Sequence, residues 1–218
     1  MSIDPAILHA WLAGRSIARE IALPIANHGG FRIDTNTDAE VCRWVFPALC
    51  PGLEELGRSV RAPRLLLKLC DSTGVLRSVL PDHWRIEPGN HFMRSDGRRL
   101  APPSIDGYTI EVRRADANVQ VRIWSETGVL AASGYGGDTP DAFVYDRIVT
   151  GPGHRRKGLG RAVMAALQAE GRHAGAPELL VATDEGQALY ESLGWRTISP
   201  YASASVASDD DQCRAMTG

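Results

Sequence analysis

The sequence predicts an α/β protein in two lobes, residues 1–100 and 101–218. Three observations carry this. Short alternating stretches that suit strands lie between stretches with apolar residues at helical spacing. Residues 90–104 concentrate Gly, Pro, Asn, Ser and Arg, the composition of a connection. Residues 142–175 then run from a strand pattern through a glycine-rich turn into a helix pattern with its own stop signal. Apolar residues make up 44% and charged residues 23%, the balance of a folded globular chain.

In chain order, Asp4-Pro5 reads as an N-cap with proline at the first helical position, ahead of Ile7, Leu8, Trp11 and Leu12 at helical spacing. Gly29-Gly30 breaks the chain before Phe31-Arg32-Ile33-Asp34, which alternates as a strand does. Thr37 with Glu40 is a capping-box pattern and predicts a helix carrying Val41, Trp44, Val45 and Phe46, ended by Pro47 and Pro51-Gly52. A further helix over 53–60 leads to a buried strand over 64–69. In the second lobe, residues 108–113 and 119–124 alternate, and the latter turn at Glu126-Thr127-Gly128 into 129–132 as a hairpin. Residues 142–150 form the next strand. Trp11, Trp44 and Trp84 are predicted core residues.

Lys plus Arg total 24 against 26 Asp plus Glu, so the chain lacks the basic excess of a general nucleic-acid binder. It has no apolar run approaching the roughly 20 residues of a membrane span. The N-terminus carries no basic segment ahead of an apolar stretch. Cys42, Cys50, Cys70 and Cys213 show no Cys-x-x-Cys pair and no histidine at ligand spacing, which predicts reduced thiols, no metal and a cytoplasmic protein.

The informative segment is Gly151-Pro152-Gly153-His154-Arg155-Arg156-Lys157-Gly158-Leu159-Gly160, between that strand and a helix striped with Leu159, Val163, Ala166 and Leu167. Glycines let a ligand approach the backbone, and the first N–H groups of the helix favour an anion. Arg155, Arg156 and Lys157 add positive charge. A phosphate or pyrophosphate site follows, although a solvated basic turn would have the same composition. The P-loop pattern fails because Lys157 precedes Gly158, and the Rossmann pattern fails because Val163 stands where a third glycine belongs. Farther on, Leu179-Leu180-Val181-Ala182 reads as a buried strand, with Thr183 or Asp184 capping a short helix and Gly194 just past its end.

Arg155-x-x-Gly158-x-Gly160 after a strand and before a helix resembles the acetyl-CoA pyrophosphate loop of the GNAT superfamily of N-acetyltransferases. Ala188-Leu189-Tyr190-Glu191-Ser192-Leu193-Gly194-Trp195 resembles that family's second signature, in the right order and at a compatible distance. The resemblance covers residues 119–198 and implies a GNAT-type mixed, mainly antiparallel sheet flanked by helices, preceded by the smaller N-terminal αβ lobe. It implies an acetyl-CoA-dependent N-acetyltransferase acting on a primary amine of a small molecule or peptide by direct attack in a ternary complex, with a homodimer left open. Arg155, Arg156, Lys157, Gly158, Leu159 and Gly160 would hold the pyrophosphate. Pantetheine would lie between two splayed parallel strands and pair with the backbone of Ile148, Val149 and Thr150. Tyr190 would protonate the departing thiolate; from its position alone it is equally a tyrosine packing into the core. Asp184-Glu185-Gly186 departs from the asparagine common among relatives.

The attacking amine needs a base. Asp146 is the first candidate, though it is equally a surface carboxylate pairing with Arg147 or Arg113; Tyr145, Glu111, Glu126 and His154 are the others. The alternative function is a non-catalytic CoA-binding regulatory protein.

At an offset of 113 residues, Leu66, Leu67, Asp71, Leu76 and Leu80 fall on Leu179, Leu180, Asp184, Leu189 and Leu193. This suggests a degenerate GNAT half in residues 1–100, with Arg77 in place of the tyrosine; two unrelated αβ units would give the same leucine matches. Residues 202–218 read partly as a tail.

Overall fold

The structure, a computed structural model, describes residues 3–206. Asp4 and Pro5 start α1 (Pro5–Arg19) as the sequence requires, with Asp4 Oδ1 accepting the Ala6 N–H at 2.8 Å. The chain then forms β1 (Ile25–Asn27), β2 (Gly30–Asp34), β3 (Cys42–Phe46), α2 (Pro51–Ser59), β4 (Leu65–Leu69), α3 (Thr73–Val79), β5 (Trp84–Ile86) and β6 (Asn90–Ser95). It continues through β7 (Tyr108–Ala115), β8 (Asn118–Ser125), β9 (Leu130–Asp138), β10 (Phe143–Thr150), α4 (Leu159–Ala169), β11 (Glu178–Ala182), α5 (Asp184–Ser192) and β12 (Trp195–Val206). Parallel pairing occurs between β3 and β4 and between β10 and β11; β1–β2, β2–β3, β4–β12 and the β7 to β10 run are antiparallel. No helix of the described residues is long and apolar enough to cross a membrane. Of the predicted tail, residues 202–206 belong instead to β12, where Ala202 and Ala204 are buried, and residues 207–218 lie outside the described residues.

The chain divides into two units that are discontinuous in sequence. One comprises Met1–His9, Ile21–Phe92 and Ile198–Gly218; the other comprises Ala10–Glu20 and Met93–Thr197. In the first unit the strand order is β1-β2-β3-β4-β12, with β5 on β12. Its core gathers Trp44, Phe46, Leu53, Leu67, Leu69, Leu76 and Trp84, and Trp84 Nε1 donates to the Gly57 carbonyl at 2.8 Å. The three tryptophans expected in the core are all buried.

Two elements differ from expectation here. Residues 42–46 form strand β3 rather than a helix. All five are buried, so both faces are covered and the strand shows no alternation. The Thr37 Oγ1 acceptance of the Glu40 N–H, at 3.1 Å, belongs to a tight turn in which Thr37 N–H also donates to the Glu40 carbonyl at 2.8 Å. Pro51 begins α2 instead of ending a helix, a position that suits a residue with no N–H to offer.

The second unit orders its strands β11-β10-β9-β8-β7. The apolar stripe of α4 packs on this sheet with Val121, Ile123, Phe143, Tyr145 and Leu180. The helical segment Ala10–Arg19 meets β9 and β10, where a side chain at Gly14 would collide with Val144.

Burial has a consequence at alkaline pH. The Cys70 thiol is pushed up to about 12 and the Cys42 thiol to about 11, each chiefly by burial. Both therefore bind their proton more tightly folded than unfolded. Their contribution is complete below pH ~9, the unfolded thiol range, and is lost as pH rises through the folded values. Urea midpoints should fall between pH 8 and 11, and less steeply in Cys70→Ala; equal slopes would show that Cys70 is not the source.

Candidate active site

The parallel pair β10–β11 is short. Only Phe143↔Glu178 and Val144↔Leu179 are in register, after which β10 continues to Thr150 and β11 to Ala182. The two strands thus part at their carboxyl ends, and no described strand pairs with that edge of β10 beyond Val144. The opposite edge is taken by β9, through Val149↔Ser133 and Thr150↔Ala132. Between Asp146 and Val149 the register shifts, and Arg147 takes φ 50 in this bulge. Along residues 148–150, the peptide groups that point away from β9 therefore have no strand partner. In the first unit the corresponding parallel pair stays closed, with five pairs from Cys42↔Leu65 to Phe46↔Leu69.

From Thr150 the chain passes through a single 3-10 turn, Pro152–His154, to the start of α4. Arg156 at φ 62 and Gly158 at φ 75 put left-handed residues just before the helix, whose first N–H groups have no partner within the helix. Arg155, Arg156, Lys157 and Gly158 are exposed, while Leu159 is buried and anchors the turn. A Cβ on Gly160 would stand 3.1 Å from the Leu189 side chain and 3.9 Å from Thr150 Oγ1. The start of α4 therefore lies against both α5 and the end of β10. His154 is held at the turn: its Nδ1 lies 3.0 Å from the Tyr108 hydroxyl, which also accepts from Lys157 Nζ at 3.1 Å.

Thr183, not Asp184, caps α5, its side chain accepting from Gly186 N–H at 3.3 Å. Asp184 and Glu185 occupy the first turn, where acidic charge suits the positive end of the helix. One turn on, Tyr190 is buried at 8% exposure, with its ring 6.2 Å from Trp195 and beside Gly186. No described side chain hydrogen-bonds its hydroxyl. Burial, and secondarily the Asp146 charge, push its pKa up to about 12, so the phenol keeps its proton throughout the neutral range. In the first unit Arg77, 113 residues before Tyr190, donates its guanidinium to the carbonyls of Trp84 and Pro81, each at 2.7 Å, and of Leu80. Arg77 closes a helix end there.

Asp146 has partners that the sequence reading did not anticipate. Arg19 grips it through Nε to Oδ2 at 2.6 Å and Nη2 to Oδ1 at 3.0 Å, with Arg15 Nε at 3.7 Å and Arg147 Nε at 3.3 Å. The expected pairing with Arg147 is present; Arg113 instead pairs with Glu111. Both oxygens of the carboxylate offered as base thus accept from the Arg19 guanidinium, which ties Asp146 to α1. The other candidates do no better. Tyr145 donates to Glu178 Oε2 at 2.7 Å, and burial foremost, with the Glu178 charge, raises its pKa well above the phenol value. Glu111 sits on β7, three strands from β10, and accepts from Trp124 Nε1 at 3.0 Å. Glu126 lies in the β8–β9 turn, its N–H on the Gly107 carbonyl. Among the described residues no group of three His, Cys, Asp or Glu could hold a metal ion.

A parted parallel pair, a basic glycine turn at a helix start and a buried tyrosine on the following helix form a domain of GNAT architecture. The family comparison agrees: residues 117–197 match the model described as "Acetyltransferase (GNAT) domain", and this segment is a GNAT domain. A search of curated proteins found no match. Among solved structures, a GCN5-related N-acetyltransferase from Kribbella flavida superposes with TM-score 0.65 at 16% identity, over 95% of this chain and 97% of that one. A GCN5-related N-acetyltransferase from Sphaerobacter thermophilus gives 0.55 at 11% identity, over 95% of each chain. A tandem GNAT protein from the clavulanic acid biosynthesis pathway gives 0.54 at 14%, over 78% of this chain and 76% of that one. At these identities the structures establish a shared fold.

Proposed function

We propose that the chain is an acetyl-CoA-dependent N-acetyltransferase that passes an acetyl group directly to a primary amine. The parting of β10 from β11 carries this reading, because it supplies an open strand edge that leads from Tyr190 to a basic helix start. Arg155, Arg156, Lys157 and the N–H groups of Gly158, Leu159 and Gly160 would hold the pyrophosphate. Ile148, Val149 and Thr150 would pair with the pantetheine amides. CoA supplies the leaving thiolate, and Tyr190 donates the proton it takes up. Asp146 acts through Tyr190, since its fixed negative charge helps keep the phenol protonated. The amine's proton leaves to solvent rather than to Asp146, Glu111 or Glu126.

The first unit fits a degenerate GNAT half. Its β3–α2–β4–α3–β5 order parallels β10–α4–β11–α5–β12, but its closed strand pair and Arg77 leave it no thioester site. The tandem GNAT neighbour supports that division. The domains are then 1–100 and 101–218, with β12 and the α1 segment as shared elements.

The test is the thermal midpoint with CoA, acetyl-CoA, ATP and NAD at equal excess, followed by an amine screen for thiol release. A binder at a hundredfold excess over its dissociation constant adds about 2.7 kcal/mol. CoA species alone should shift the midpoint, and Gly158→Ala should weaken the shift, since a side chain is strained at φ 75. No CoA shift would end the proposal. A shift without turnover on any amine would favour the regulatory CoA binder, the reading that the occupied Asp146 suits.

A further inference from the structure

The second unit holds another concavity, which the proposed transfer does not use. It is a cleft of about 590 Å³ at the amino ends of β10 and β11, whereas the strands part at their carboxyl ends. That volume falls within the ordinary range of small-molecule sites.

Its floor is a fixed polar network. Tyr145 Oη donates to Glu178 Oε2 at 2.7 Å, and Gln168 Nε2 donates to the two Glu178 oxygens at 3.1 and 3.3 Å. Gln168, only 9% exposed, also donates to the Arg98 carbonyl at 3.0 Å and accepts the Leu100 N–H at 2.7 Å. These bonds tie the 98–100 loop to α4 and occupy Glu178 with neutral donors. Aromatic rings of Phe143 and Tyr145 stand 4.9 Å apart on the same wall.

The rim carries three arginines, and their partners differ. Arg172 reaches Asp138 at 3.9 Å, a carboxylate that Arg114 already holds at 3.1 Å. Asp96 is spent on Arg98, at 2.7 Å. Arg94 and Arg99 line the cleft and meet no carboxylate among the described residues. Arg99 lies near enough to the floor for its charge to oppose, in part, the burial and Glu178 effects on the Tyr145 phenol. Two guanidiniums at one mouth can each present a planar fork of donors to an anion. Glu178 and the α4 carbonyl end oppose an anion lying deep in the cleft, so the acidic group belongs at the rim and any remainder over the Phe143–Tyr145 rings.

We infer that this cleft binds a small anion, carboxylate or phosphate, through Arg94 and Arg99, at a site separate from the α4 helix start. The test uses the full chain at fixed ionic strength, with midpoints titrated against inorganic phosphate, citrate and L-glutamate, and sodium chloride as control. At least one probe should raise the midpoint saturably, and its identity separates the phosphate source from the carboxylate one. Arg94→Gln and Arg99→Gln should each weaken that response roughly tenfold, the usual scale for a charged hydrogen bond. Both variants should keep the wild-type CoA shift, which shows that they fold. Arg155→Gln should do the reverse, weakening CoA and sparing the probe. No response to any probe overturns the inference, as does a response lost in Arg155→Gln or unchanged in both rim variants. None of these results depends on whether the chain turns over acetyl-CoA.

Discussion

Tyr190→Phe should lower the rate of amine-dependent thiol release from acetyl-CoA by about 100-fold or more, the range of a lost general acid, while leaving the CoA-induced rise in thermal midpoint unchanged. The reasoning rests on what the substitution removes. The ring contacts with Trp195 and Gly186 survive in phenylalanine, so the helix that faces the α4 start keeps its place. Only the hydroxyl is lost, and no described side chain depends on it. The hydroxyl is also in the right protonation state: burial, aided by Asp146, raises its pKa to about 12. A thiol leaving group near pKa ~8.5 needs a donor mainly while the bond breaks, and a neutral phenol serves. The pH profile carries a second check. Because the phenol loses its proton only near its raised value, the Tyr190-dependent part of the rate should show no alkaline decline up to pH ~10, the value of an unperturbed phenol. Asp146→Asn should lower the pKa by removing the charge and so bring the decline to lower pH. Equal rates for wild type and Tyr190→Phe would remove Tyr190 from the mechanism and leave the open strand edge as a binding feature alone.

The parts of this site that the sequence displays are those built from near neighbours in the chain. The basic turn, the helix stripe behind it and the Leu189-Tyr190 helix each occupy a dozen residues or fewer, and local rules of turns, caps and periodicity govern them. What the sequence hides is set by distance or by symmetry of burial. Arg19 and Asp146 are 127 residues apart, and nothing in the alternation of β10 indicates that a guanidinium from α1 will fill its carboxylate. That one contact commits the leading candidate base to a guanidinium of α1. The missed strand β3 fails differently. A strand covered on both faces has no polar side to reveal its period, and Thr37 Oγ1 accepts the Glu40 N–H in a turn much as it would at a helix start. Pro51 was legible as punctuation but not as to which side of it the helix would lie. The cleft lined by Arg94 and Arg99 also escapes the sequence, because its floor joins Tyr145, Gln168 and Glu178 from two strands and a helix.

Gly137→Ala should lower the thermal midpoint by roughly 5–10 °C, although it adds a single methyl group to a chain of 218 residues. A Cβ at Gly137 would stand 1.9 Å from the Gly14 carbonyl oxygen, 2.6 Å from its carbonyl carbon and 2.9 Å from its Cα. All three are backbone atoms, so no rotamer change relieves the overlap; the helical segment of Ala10–Arg19 must move off β9. Overpacking of this kind costs about 2–3 kcal/mol. Gly153→Ala is the matching control, since nothing lies within 4 Å of its added carbon and its backbone is not left-handed. It should leave the midpoint unchanged. The same displacement has a readout at the site. Arg15 and Arg19 ride on that helical segment, so lifting it loosens the guanidinium grip on Asp146. The basic turn is held by Leu159, Tyr108 and the end of β10 and has no part in that contact. Folded Gly137→Ala protein should therefore bind CoA as the wild type does and transfer acetyl groups more slowly. A variant that melts with the wild type would show that the helix slides over β9 without loss, and that the glycine contact does not position Arg19.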